Sequence, residues 1–126
     1  MSKTILLVDD EPHVLEVLRV TLEDLGFKLL EAQDGPGALA LAKSESPDLV
    51  VLDVMLPSMS GLEVCRTLKQ STDTVGTPVI MLTARSGEDD AQAGYDAGAD
   101  RYLTKPFSPL TLLTEVVKLL DIDMGN

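Results

Sequence analysis

Six residues able to bind or transfer a charged group lie far apart in the chain, each just past a short apolar run. Asp9, Asp10 and Glu11 follow TILLV, Asp53 follows LVVL, Thr83 follows PVIML and Lys105 follows RYLT. An apolar run that stops on a polar residue is the pattern of a buried strand delivering a side chain to the rim of a parallel sheet. Aspartates gathered at one rim would repel, raising one another's proton affinity, unless a cation sat among them. The cluster is rich in oxygen and free of thiol and imidazole. That donor set suits Mg²⁺, which accepts a few carboxylates and keeps several waters. Lys105 adds an ammonium and Thr83 a hydroxyl donor, so the set would neutralise the oxygens of a phosphoryl group during transfer. Asp53 would then be the nucleophile. Each residue also has a plainer use: Asp9 to Glu11 as an acidic helix start, Thr83 and Asp53 as caps or turn formers, Lys105 as a surface charge. Their joint placement is what favours chemistry.

The elements that must position them follow from punctuation and periodicity. TILLVD reads as a buried strand, and Pro12 opens a helix with Leu15, Leu18, Leu22 and Leu25 on one face, ended by Gly26. FKLLEA is a second strand. A helix starts at Asp34-Gly35-Pro36, with Pro36 at its first position and Leu39 and Ala42 as core-facing candidates. After the central strand, which turns at Pro57 and Gly61, Ser60 can cap a third helix carrying Leu62, Cys65 and Leu68. A polar loop runs from Gln70 to Thr77, and Pro78 starts PVIML. Residues Gly87 to Ala97 suit a fourth helix, weakly held because its apolar side is mostly Ala and Gly94 interrupts it. RYLT is the last strand, followed by a strong helix with Leu113, Val116, Val117 and Leu120 in register. Five strands alternating with five helices through short turns imply an α/β, doubly wound, parallel sheet covered on both faces, whose ligands gather at the carboxyl ends of the strands.

Composition narrows the function. At 126 residues the chain fits one domain, residues 1–126, with 121–126 a tail or the start of a linker. A net charge of -11 argues against phosphate-backbone binding by this segment and points to a metal ion or a basic protein as partner. The single Cys65 has no partner for an internal disulfide and reads as a small buried hydrophobe. No run approaches membrane-spanning length, so a cytoplasmic protein is expected. Gly35-Pro36-Gly37-Ala38-Leu39-Ala40 imitates a dinucleotide fingerprint, but Pro36 removes a donor, and Glu31 and Asp34 would repel a pyrophosphate. A flavin site fails too, because the first strand ends in acids. His13, the only histidine, reads as an exposed residue of the first helical turn and is given no role.

TILLVDDEP, LVVLDVMLPSMSGLE, PVIMLTAR and GADRYLTKPF, in this order and spacing, resemble the receiver domain of bacterial two-component response regulators over essentially the whole chain. The resemblance implies a CheY-like, flavodoxin-like sheet of order 2-1-3-4-5 and a cis bond between Lys105 and Pro106. It implies that Asp53 accepts a phosphoryl group from the phosphohistidine of a sensor histidine kinase or phosphotransfer protein. Asp9, Asp10, Asp53 and the Met55 backbone carbonyl would hold Mg²⁺. Thr83 and Lys105 would hold the phosphoryl oxygens, and Tyr102 would rotate in concert with Thr83. Such a domain is a signalling switch with intrinsic autophosphorylation and autodephosphorylation only. The rival, an aspartyl-phosphate hydrolase of the haloacid dehalogenase kind, carries its nucleophile on the first strand in a D-x-D pattern. A degenerate receiver acting only in protein binding loses ground, since every expected acid, hydroxyl and lysine is present.

Two further expectations follow. Met55 and Arg85, two positions beyond Asp53 and Thr83, flank the route of attacking water. Neither offers a carboxamide to orient it, so hydrolysis of the phosphorylated state should be slow and Met55→Asn should shorten its lifetime. Residues 87–120 should form a switch surface for an output partner or a second copy, because Leu112, Val116 and Leu119 make a second apolar stripe on the last helix. Receivers of winged-helix transcription factors usually carry basic residues along that helix, where SPLTLLTEVVKLL has only Lys118.

Overall fold

The structure, a computed structural model, describes residues 3–84 and 87–121. Strands and helices alternate as β1 (Thr4–Val8), α1 (Pro12–Glu23), β2 (Lys28–Ala32), α2 (Gly35–Glu45), β3 (Leu49–Leu52), α3 (Gly61–Gln70), β4 (Val79–Thr83), α4 (Glu88–Asp96), β5 (Arg101–Thr104) and α5 (Pro109–Leu120). Every strand pair is parallel and the order is β2-β1-β3-β4-β5, as the motif order implies. The central strands β1, β3 and β4 are covered on both faces, which is why they read as continuous apolar runs.

Alternation within each strand divides the core in two. Leu6, Val8, Val50, Leu52 and Met81 face α2 and α3, meeting Ala38, Ala42, Val64, Cys65 and Leu68. Ile5, Leu7, Val51, Ile80 and Leu82 face α1 and α5, meeting Leu15, Leu18, Leu22, Leu112 and Val116. Each fully buried aliphatic side chain contributes about 2 kcal/mol of gross stabilisation, so the strands are the firmest support for whatever stands at their ends.

Local signals set the helix starts. Pro12 is the first residue of α1, while the Asp34 and Ser60 side chains accept from the Gly37 and Glu63 backbone N–H groups. That cap accounts for the fingerprint-like segment at 35–40, where Gly35 takes the first helical position and Pro36 the second. One core expectation needs correction. Leu25 is 37% exposed because α1 closes at Glu23 and the chain turns at Gly26, φ +81°. In α2 the buried pair is Ala38 and Ala42, with Leu39 half-buried beside them.

The largest correction concerns α5. Leu112 and Val116 are fully buried and Leu119 packs on the same core, so the stripe expected to face a partner faces the sheet. Leu113 and Leu120 are half-buried at its margin, and the exposed apolar residue of this helix is Leu110. In α4 only Gly94 is buried. A Cβ there would lie 2.7 Å from Cδ1 of Tyr102, so the missing side chain is the seat of the ring. The Tyr95 ring is tilted against that of Tyr102, with ring centroids 6.4 Å apart. The Lys105–Pro106 bond is cis, as the resemblance implies.

Candidate functional site

The sheet brings the strand-end residues to one rim. Asp9 follows β1 and is 1% exposed, and its backbone N–H donates to the Ala32 carbonyl, 3.2 Å away at the end of β2. Asp53 follows β3 and is 3% exposed, its N–H donating to the Val8 carbonyl at 3.0 Å. Asp10 and Glu11 are exposed beside them. Carboxylate oxygens of Asp9, Asp10, Glu11 and Asp53 all lie within 4.8 Å of one another. With four hard oxygen donors and neither sulfur nor imidazole, this set fits Mg²⁺ in number and in kind.

Lys105 crosses the sheet to reach the acids. Its Nζ donates to Asp9 Oδ2 at 2.7 Å and Asp53 Oδ2 at 3.3 Å, with Glu11 Oε1 at 3.5 Å. The ammonium is held from its own backbone as well, since the Lys105 N–H donates to the Thr83 carbonyl at 2.8 Å. Burial opposes its charge, yet the Asp9 and Asp53 carboxylates outweigh burial and hold the ammonium above the ordinary lysine value. At Asp9 the balance reverses. Burial pushes its carboxyl above the ordinary range, against the pull of Lys105 and of the Glu11 backbone N–H. A cation settling among these acids would relieve that cost.

The turn after β3 fixes the Asp53 carboxylate. The Met55 N–H donates to Asp53 Oδ1 at 3.2 Å, and the Gly61 N–H, at the start of α3, donates to the Val54 carbonyl at 2.9 Å. A Cβ at Gly61 would fall 2.0 Å from the Asp53 carbonyl oxygen, so α3 approaches this backbone as closely as glycine permits. Asp53 opens into a cavity of about 590 Å³ lined among others by Asp10, Glu11, Met55, Ala84 and Lys105. A second cavity of about 390 Å³ lies across Lys105, walled by Val14, Val17, Pro106 and Phe107. The first holds the acids and is where a charged group would be received.

Thr83, the last residue of β4, is fully buried, and Tyr102 lies one strand over with its ring against Gly94. Arg85 lies outside the described residues. His13 is exposed as expected, with Nε2 3.6 Å from Glu11 Oε2. Gly61 is the contributor the strand-end reading passed over, and Glu11, counted among the strand-end acids, was given no part in holding Mg²⁺. Glu11 looked like part of a solvated helix start, and Gly61 like a turn former. Its place directly after the Ser60 cap was the available signal.

A parallel sheet of order 2-1-3-4-5, with acids after β1 and β3 and a lysine after β5, defines the CheY-like class of flavodoxin-like folds. The chain belongs to the response regulator receiver domain family, whose model matches residues 5–117. It is 46% identical over 120 residues to the alkaline phosphatase synthesis transcriptional regulatory protein PhoP of Bacillus subtilis, covering 95% of this chain and 49% of that protein. The phosphate regulon transcriptional regulatory protein PhoB of Pseudomonas aeruginosa is also 46% identical, over 95% of this chain and 52% of its own length. The chain therefore spans about half the length of these relatives. The chemotaxis response regulator CheY4 of Vibrio cholerae superposes with a TM-score of 0.88 at 33% identity, covering 94% of this chain and 99% of that one.

This chain is thus a receiver domain of two-component signalling, a phosphoacceptor switch. Receiver domains bind Mg²⁺ at an acidic pocket, and the acids at this rim form such a cluster. Response regulators interact with histidine kinases. Among the described residues no helix is long and apolar enough to cross a membrane. Two of these relatives are named transcriptional regulatory proteins.

Proposed function

We propose that Asp53 is the phosphoacceptor, taking a phosphoryl group from the phosphohistidine of a sensor histidine kinase or phosphotransfer protein. The observation that carries this reading is the Asp53 carboxylate, almost fully buried, held by the Met55 N–H and the Lys105 ammonium at the floor of the acidic cavity. An Asp53 oxygen attacks phosphorus as the bond from phosphorus to the donor nitrogen breaks. Lys105 turns from the carboxylates to the phosphoryl oxygens, and the Thr83 hydroxyl donates to them. Asp9, Asp10, Asp53 and the Met55 backbone carbonyl would hold Mg²⁺, which when bound supplies positive charge at those oxygens.

The same chemistry accepts small phosphodonors and ends in slow hydrolysis by water, so autophosphorylation and autodephosphorylation are this domain's own activities. Residues 1–126 act as one receiver domain, with 121–126 as tail or linker, in the cytoplasm, where the kinase supplies the donor. Its output passes through residues 87–120 to a protein partner or a second copy, with Thr83 and Tyr102 moving together, and this segment makes no direct contact with nucleic acid. The transcriptional regulation named for the relatives would lie in chain beyond the half they share with this one.

Intact-mass spectrometry tests the acceptor. Acetyl phosphate with Mg²⁺ should add one acid-labile phosphoryl group to the wild type and none to Asp53→Asn. Equal labelling of the two refutes the assignment. Sustained turnover of p-nitrophenyl phosphate without a kinase would favour the hydrolase rival.

A further inference from the structure

The methionines near the acceptor differ sharply in exposure. Met81 is fully buried in β4, and the Met59 sulfur is tucked against α2, only 3.0 Å from where a Gly35 Cβ would stand. Met55 is 53% exposed. It stands two residues from Asp53, binds that carboxylate through its backbone N–H at 3.2 Å, and lines the cavity into which the carboxylate opens. Among the described residues it is the methionine most open to water, and it stands at the mouth of the site.

We propose that Met55 is a site of reversible oxidation by peroxides, and that its sulfoxide shortens the life of the phosphoryl group on Asp53. The proposal rests on Asp53 being the acceptor. The sulfur lone pair attacks one peroxide oxygen, an S–O bond forms as the O–O bond breaks, and the peroxide is reduced to water while the thioether loses two electrons. The product replaces a weak acceptor with a strongly polar S=O that accepts hydrogen bonds and donates none. A thioether beside the phosphoryl group holds no water in place. A sulfoxide oxygen can accept from a water and fix it near phosphorus, the service a carboxamide at this position would give. Met81 is fully buried and Met59 is half-buried with its sulfur packed toward α2, so the same reagent meets Met55 first and the change centres on the cavity mouth.

The test uses the full chain treated with hydrogen peroxide. Peptide mass spectrometry should find Met55 oxidised well before Met59 and Met81. Treated and untreated proteins are then phosphorylated with acetyl phosphate and Mg²⁺, freed of donor, and followed by intact mass. Oxidation should speed loss of the phosphoryl group about threefold or more, and methionine sulfoxide reductases should restore the original rate. In Met55→Leu the rates before and after peroxide should agree, which separates Met55 from Met1 and Met124. Oxidation of Met55 no faster than of Met59, or equal lifetimes with and without peroxide, overturns the proposal. If the untreated wild type takes no phosphoryl group at all, it is the reading of Asp53 that fails, and this one falls with it.

Discussion

Replacing Gly61 by Ala tests whether the acceptor depends on the closeness of α3. The new Cβ would lie 2.0 Å from the Asp53 carbonyl oxygen and 2.8 Å from both the Asp53 carbonyl carbon and the Val54 Cα. All three are backbone atoms, so no rotamer relieves the contact. Carbon and oxygen settle no closer than about 3.3 Å, which requires a separation of roughly 1.3 Å between α3 and the turn after β3. The bond from the Gly61 N–H to the Val54 carbonyl resists that separation. Overpacking plus a weakened hydrogen bond should cost about 3 kcal/mol. At about 4 °C per kcal/mol for a chain of this size, the melting temperature should fall by roughly 12 °C. A reacting carboxylate displaced by about 1 Å loses on the order of 100-fold in rate. Gly94→Ala is the control, because its Cβ would meet the Tyr102 ring, which can turn aside. It should label within about twofold of wild type, its clash partly offset by alanine's helix propensity. Initial rates of acetyl phosphate labelling are compared well below either transition. Labelling of Gly61→Ala at the wild-type rate would refute the reasoning, whatever its melting temperature.

Three other outcomes are expected. Asp10→Ala should weaken Mg²⁺ binding by about tenfold or more in a metal titration, and Glu11→Ala far less, although both carboxylates reach the cluster. Burial pushes the Cys65 thiol up to about 11 from an ordinary 9.0, so Ellman's reagent should react only on unfolding. The unfolded chain gives up this proton first, so stability should fall as pH rises from 9.0 toward about 11, and the fall should be shallower in Cys65→Ala urea midpoints. Beryllofluoride, a stable phosphoryl mimic, should change amide exchange over residues 87–120 in wild type but not in Thr83→Ala, because α4 buries only Gly94 and moves at little cost.

The rim was legible because each central strand is apolar until it reaches the residue it presents, so Asp9, Asp53 and Thr83 announce themselves by ending a run. What position along the chain could not give was reach. The Glu11 carboxylate comes within 3.5 Å of the Lys105 ammonium, 94 residues on, only because the parallel strands all end at one rim, where the lysine side chain reaches from the β5 end toward the β1 end. The α5 stripe was misread for a different reason. Apolar residues stand at 110, 112, 113, 116, 117, 119 and 120, enough to make two overlapping faces, and periodicity alone does not choose between them. The structure turns Leu112 and Val116 into the core shared with Val51, Ile80 and Leu82. Gly94 was read through its poor helix propensity, whereas its job depends on a tyrosine in the next element.

Lys105 lies 96 residues from Asp9 and 52 from Asp53, and its one ammonium touches both. Contacts so distant in sequence are among the last a growing or refolding chain can make, since long loops must close first. A ribosome-bound chain that has exposed β1 and β3 already carries the acids, yet lacks the charge that tempers them until β5 has docked at the sheet edge. Competence to receive a phosphoryl group therefore arrives late in folding, and a half-made protein is a poor thief of signal from its kinase.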